Sequence, residues 1–235
     1  MLELTGLSRR FGGLTVIDDL ALRVAQGEIV GILGPNGAGK STLFNLIGGN
    51  LAPNAGRITY DGRDVTKMRV WDRCRLGIGR TFQIPKPFTH MTVFENVLVA
   101  AVHGGRTPLR KAKARVVEVL ERTGLAHRQA VAAGGLTLLD LKRLELAKAL
   151  ALSPRLLLLD EIAGGLSEAE CDDLLAMVRD VHAGGVTVVW IEHVVLALRR
   201  LAGRIDVLHG GRFIASGPPD AVLADPRVRE VYLGA

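Results

Sequence analysis

A chain of 235 residues that is 48% hydrophobic and 23% charged has the composition of a globular protein, long enough for one large domain. No apolar run reaches the roughly 20 residues of a membrane-spanning helix, and Cys74 and Cys171 match no metal-ligand spacing and read as reduced thiols. The net charge of +6 sits in the middle of the chain: Ile84 to Ser153 carries 11 Lys/Arg against 5 Asp/Glu, while the remainder carries 19 of each. Aromatics make up only 4% of the residues, which argues against a stacking platform for nucleic acid. A solvated helical face, or a face turned to an anionic surface, accounts for the basic middle.

The opening Met1-Leu2-Glu3 has no basic leader and runs straight into strand-like sequence. Leu2 to Leu22 alternates loosely about a turn at Phe11-Gly12-Gly13-Leu14, the pattern of antiparallel strands. "GEIVGILG", Gly27–Gly34, is a short apolar run suited to a buried strand, and "KSTLFNLIGGN" follows with helical spacing at Leu43, Leu46 and Ile47 and a glycine stop. "AGRITYDGRDV" predicts a strand, a DG turn and a second strand. Val93 to Gly124 is mostly helical, with breaks at Gly104-Gly105 and Pro108. "GGLTLLDLKRLEL", Gly134–Leu146, predicts a helix capped by Thr137, with Asp140 in capping-box position. "PRLLLLDE" and "GVTVVWIEH" are further buried strands, each followed by a helix, and "GRIDVLHGGRFIASG" predicts a hairpin turning at Gly210-Gly211. Strands alternating with helices imply an α/β fold with a mainly parallel sheet.

Two stretches carry the chemistry. "GPNGAGKS" fits G-x-x-x-x-G-K-[ST] in full, between a predicted strand and a predicted helix. Residues Gly34, Pro35, Asn36, Gly37, Ala38 and Gly39 would wrap backbone N–H groups around a phosphate, with Lys40 reaching the terminal phosphates. Ser41 is placed for Mg²⁺ and Thr42 for the α phosphate, at a helix start that itself favours anions. The second stretch, "LLLLDE", ends an apolar strand in Asp160 and Glu161, at the edge of the sheet where α/β sites lie. Asp160 suits a magnesium shell, and Glu161 could activate a water. Lys40 and Asp160 are 120 positions apart, too far for a minimal P-loop kinase or small GTPase.

These motifs, together with Phe11, Gln83 in "GRTFQ", "AGGLSEAE" and His193 in "WIEH", resemble in order those of the ATP-binding cassette family over nearly the whole chain. The resemblance implies a P-loop NTPase fold: a mainly parallel core sheet with an antiparallel β subdomain (1–83 and 154–235) and an inserted helical subdomain (about 84–153). It implies that Phe11 stacks on adenine, that Gln83 contacts Mg²⁺ and the attacking water, and that His193 meets the γ phosphate. "GPNGAGKSTLFNLIGG", "GIGRTFQ", "MTVFENVLVAA" and the ending "VYLGA" further resemble the ATPases of branched-chain amino acid uptake. From this likeness follow ATP and Mg²⁺ as cofactors, membrane permease subunits and a second cassette (identical or homologous) as partners, and a periplasmic binding protein acting indirectly. A cytoplasmic position on the inner face of the membrane, and no role with nucleic acid, follow as well.

The family's Leu-Ser-Gly-Gly-Gln signature, which meets the ATP of the other subunit, is represented by Leu136-Thr137-Leu138-Leu139-Asp140. Thr137 keeps the hydroxyl; Leu138 and Leu139 replace glycines, and Asp140 adds a negative charge near the triphosphate. Ile162 stands where proline is usual, and Ser167-Glu168 where Asn or Asp and then Pro are usual. The leading expectation is the ATPase of an importer of branched-chain or related amino acids. The alternatives are a weakly hydrolysing cassette in a heterodimer serving another small substrate (urea, an amide, an aromatic acid) and a soluble cassette ATPase outside transport.

Overall fold

The computed structural model describes residues 1–105 and 107–233, so the "VYLGA" ending falls partly outside the described residues. In chain order the strands and helices are β1 (Leu2–Phe11), β2 (Leu14–Val24), β3 (Ile29–Leu33), α1 (Lys40–Gly48), β4 (Ala55–Tyr60), β5 (Arg63–Asp64), α2 (Val70–Arg75), β6 (Ile78–Arg80) and α3 (Val93–Val99). They continue with α4 (Leu109–Arg122), α5 (Leu138–Leu150), β7 (Leu156–Asp160), α6 (Glu168–Ala183), β8 (Thr187–Ile191), α7 (Val195–Leu201), β9 (Arg204–His209), β10 (Arg212–Gly217), α8 (Pro219–Ala224) and α9 (Pro226–Leu233). The chain resolves into two compact units, one of Met1–Arg73 with Thr187–Ala235, the other of Cys74–Val186.

In the first unit β3 lies between β8 and β9, parallel to both, and β10 closes the hairpin against β9. Every residue of β3 and β8 is buried, as expected of strands covered on both faces, whose sequences need no alternation. A separate antiparallel sheet runs β2-β1-β4-β5. Its first strand buries Leu2, Leu4 and Leu7, while Glu3 and Thr5 point outward.

Helix α1 of this unit buries Leu43, Phe44, Leu46 and Ile47. It ends at Gly49, whose φ of +85° suits the left-handed turn that stops a helix. The last turn is also held by Arg73, 1% exposed, which donates to the carbonyls of Leu46 and Ile47 at 2.6 and 2.7 Å and to those of Thr66 and Met68 at 3.0 and 3.2 Å. Burial pushes its pKa down to about 10, against the pull of Asp64. The guanidinium is a buried hub joining the end of α1 to the Thr66–Met68 turn.

In the second unit β6 and β7 are parallel neighbours, and β7 is buried throughout. Helix α4 buries Ala112, Val116, Val119 and Leu120 at helical spacing, leaving Arg110, Lys111, Lys113 and Arg122 exposed. Part of the basic middle of the sequence is therefore the outer face of this amphipathic helix. Helix α5 differs: it buries Leu144, Leu146, Ala147 and Leu150, and also the charged Asp140, Lys142 and Glu145. Buried charges in a helix need partners, and these partners shape the site.

Replacing Arg73 by Met removes four donated bonds at once, two of them buried. The expected cost is about 3 kcal/mol, read as a lower urea midpoint at unchanged slope.

Candidate active site

In the first unit the glycine-rich loop leaves the end of β3 and enters α1. A Cβ on Gly34 would lie 2.4 Å from the carbonyl oxygen of Leu208, so only glycine lets the strand end pass there. A Cβ on Gly39 would lie 2.8 Å from the Val16 carbonyl oxygen, and its φ of +105° excludes other residues a second time. Gly37, at φ +81°, has open space on its Cβ side. No side chain caps α1, and no acid occupies its first turn. This contrasts with α3, α5 and α6, whose first N–H groups are met by Thr92, Thr137 and Ser167. A helix start that combines aligned N–H groups, a glycine cradle and a cation is built for an anion. The cation is Lys40: the residue is 6% exposed, and its ammonium donates to the Gly34 and Pro35 carbonyls at 2.6 and 3.2 Å, which holds it over the loop.

Also in this unit, Phe11 ends β1 as a residue 43% exposed, with the Arg9 guanidinium 4.6 Å from its ring centroid. His193 is exposed just after β8. Its neighbour Glu192 is fully buried, accepting from Trp190 Nε1 at 3.2 Å. Neither Arg9 nor Glu192 stood out in the sequence, because each lies beside a more conspicuous aromatic or histidine.

In the second unit β7 delivers Asp160 and Glu161. Asp160 is 5% exposed; its carboxylate pairs with Arg80 at 3.0 Å, and its N–H donates to the buried Thr81 hydroxyl at 3.1 Å. Glu161 has a φ of +47°, a left-handed conformation unusual for a non-glycine residue and one that accumulates at functional sites. Gln83 Nε2 donates to Glu161 Oε2, so these two side chains meet directly. Lys142 of α5 donates to both backbone carbonyls, Gln83 at 2.9 Å and Glu161 at 3.0 Å. Sequence reasoning missed Arg80 and Lys142: a cation on a short strand or a helix gives no sign that it is buried.

The first turn of α5 departs from the expected capping box in one half. Thr137 accepts from the Asp140 N–H at 3.2 Å as a helix cap should. The Asp140 side chain does not return the bond to Thr137; it faces Arg143 at 3.6 Å and Arg128 at 3.7 Å. The two arginines hold the carboxylate at a 6% exposed position, so the negative charge expected near a bound triphosphate is locally neutralised. Leu138 is 44% exposed and its Cδ2 lies 3.2 Å from where a Cβ on Gly165 would be. A side chain at Gly165, in the loop after β7, would therefore crowd Leu138.

The family description "ABC transporter" matches residues 17–164, well over half of the chain. This chain belongs to the ABC transporter family. A second description, "Branched-chain amino acid ATP-binding cassette transporter", matches residues 214–235. The chain is 36% identical to the high-affinity branched-chain amino acid transport ATP-binding protein LivG of Salmonella typhimurium, over 100% of this chain and 98% of that protein. It is 33% identical to the lipopolysaccharide export system ATP-binding protein LptB of Acidithiobacillus ferridurans, over 100% of this chain and 97% of that protein. An ATP-binding cassette of an ABC transporter solved in its ADP conformation superimposes with a TM-score of 0.92 at 31% identity, covering 100% of this chain and 99% of that one. The fold is therefore the α/β P-loop fold, and the protein is an ABC ATPase.

Within the cassette the remaining departures have local reasons. Ile162 is fully buried and fills its place as a core side chain. Ser167 caps α6 in a complete capping box with Glu170, and Glu168 adds negative charge to the same first turn. The Ser167 backbone N–H, and after it the hydroxyl, hold the Glu170 carboxyl below its usual range.

Replacing Thr137 by Ala is expected to cost about 1 kcal/mol, and Thr137→Ser only a small part of that. Urea unfolding of the two variants checks the cap separately from any effect on ATP.

Proposed function

We propose that this cassette hydrolyses ATP as the peripheral subunit of a membrane importer of branched-chain or related amino acids, working as a dimer with permease subunits. The observation that carries the hydrolytic part is the carboxylate of Glu161, presented in left-handed backbone at the end of β7 and bonded to Gln83. The match of residues 214–235 to the branched-chain description, and the likeness to LivG, support the transported class.

In this reading the backbone of Gly34–Gly39 and the first turn of α1 bind the phosphates, and Phe11 stacks on adenine. Lys40 neutralises the terminal phosphates. Glu161 takes a proton from a water whose oxygen forms a bond to the γ phosphorus as the bond to the ADP oxygen breaks, giving ADP and phosphate. Gln83 orients that water, and His193 hydrogen-bonds the γ phosphate. Mg²⁺, when bound, would supply further charge neutralisation at the phosphates. Ser41, Gln83 and Asp160 would hold it, and their hydroxyl, amide and carboxylate oxygens are the hard donors that the ion prefers. Thr137 and the start of α5 face the ATP of a second cassette, with Leu138, Leu139 and the neutralised Asp140 in the places of the signature. Exposed Ile84 and Phe88, at 73% and 54%, suit an apolar contact with permease helices. No helix among the described residues is long and apolar enough to cross a membrane, in keeping with a peripheral subunit.

A second reading, a weakly hydrolysing cassette paired with an active homologue, is favoured by the two leucines where the signature has glycines. Native mass spectrometry of the assembled transporter separates homodimer from heterodimer, and two copies of this chain would overturn the second reading.

The deciding measurement is ATP turnover of the full chain beside Glu161→Gln, which is expected to lose at least about 100-fold in kcat while still binding ATP. Equal rates would remove Glu161 from the chemistry. Leu139→Gly is expected to raise ATP-driven dimerisation, followed by light scattering, or to leave it unchanged, since a smaller residue lets backbone approach phosphate more closely. A sharp loss would show that the leucine makes a contact of its own.

A further inference from the structure

Helix α5 carries three charged residues on one side, at spacings of three: Lys142, Glu145 and Lys148. Each grips backbone or charge on the segment after β6. Glu145, 2% exposed, accepts from the Lys86 N–H at 2.8 Å and from Lys148 Nζ, and Lys148 also donates to the Lys86 carbonyl at 2.9 Å. Lys142, 4% exposed, reaches further, donating to Gln83 O at 2.9 Å and Glu161 O at 3.0 Å. One ammonium therefore fixes the peptide planes that follow the two residues whose side chains meet. One of those residues, Glu161, is held at φ +47°, a conformation that persists only when its surroundings impose it.

We propose that Lys142 is a positioning residue for ATP hydrolysis: its two carbonyl bonds set Gln83 and Glu161 in register for the attacking water. Because Lys142 belongs to the same helix as Thr137, the helix start that would meet a neighbouring subunit's ATP is tied through one rigid element to the pair that activates water. The proposal rests on the reading of Glu161 as the proton acceptor. Lysine is suited to this task because its ammonium has three N–H donors on a long stem and can serve two carbonyls at once. A methionine of similar length would fill the space and donate to neither.

The test uses the full chain at saturating ATP and Mg²⁺, with kcat and KM measured separately for Lys142→Met, Lys142→Arg, Glu161→Gln and the double variant Lys142→Met/Glu161→Gln. Lys142→Met is expected to lower kcat by about 30-fold or more, with KM for ATP within about threefold of wild type, and Lys142→Arg to recover most of the loss. In the Glu161→Gln background Lys142→Met is expected to add little, because it acts through a residue already removed. Wild-type kcat in Lys142→Met, or a full multiplicative drop in the double variant, overturns the proposal while leaving Glu161 in place. Wild-type kcat in Glu161→Gln overturns both readings. If Lys142→Met fails to fold by circular dichroism, Lys142→Gln takes its place. Loss of folding in that variant as well, or equal losses in kcat and ATP affinity, makes the lysine purely structural and overturns the proposal.

Discussion

The phosphate loop takes its shape from how closely its backbone passes the neighbouring chain. At Gly34 the β3 end runs so near the Leu208 carbonyl that any side chain would collide, and at Gly39 the entry to α1 is pressed on Val16 in the same way. With these two points fixed, the intervening residues have one short path, and Lys40 and the first N–H groups of α1 end up at its rim. Buried strands on either side of β3 hold this geometry because they are apolar throughout and have no alternative face to present. The loop is rigid by exclusion, before any attractive contact with a ligand is considered.

The second unit reaches a comparable precision by different means. Around Glu161 the positioning contacts are made by charges: Arg80 on Asp160, Lys142 on two carbonyls, Glu145 and Lys148 on Lys86. Each buried charge would be costly alone, and each is met by a partner or a carbonyl. Such a network has few alternative arrangements of equal energy, so it specifies where the Gln83 segment lies against α5 more sharply than apolar packing would. The same principle disposes of the Asp140 charge, shared between two arginines one turn and one loop away.

What could be read in the sequence was what is local. The phosphate loop is eight consecutive residues whose glycines are required by backbone geometry, and the buried strands announce themselves as short apolar runs. The turn at Gly210-Gly211 and the cap at Thr137 depend only on residues within a few positions. The partners of α5 depend on residues about 20 to 60 positions away, and nothing in "DLKRLELAK" distinguishes a buried lysine from a solvated one. Asp140 shows the boundary well. Its i+3 partner Arg143 lies within helical reach, but Arg128 does not, and the turn of its carboxylate away from Thr137 follows from both. Ser167 shows the reverse: it stood out against the expected family pattern, yet its capping box with Glu170 was spelled in four adjacent residues.

Arg73 places a permanent positive charge at the carboxyl end of α1, where the aligned peptide dipoles leave a partial negative charge. At the other end the chain supplies no side-chain cap and no acid. The helix is thus electrically finished on one side by the protein itself, while its other end keeps its N–H groups free of a side-chain cap. In the proposed function, a phosphate bound there would complete a dipole that is already anchored, so the energy of the encounter would go to the anion and not to settling the helix.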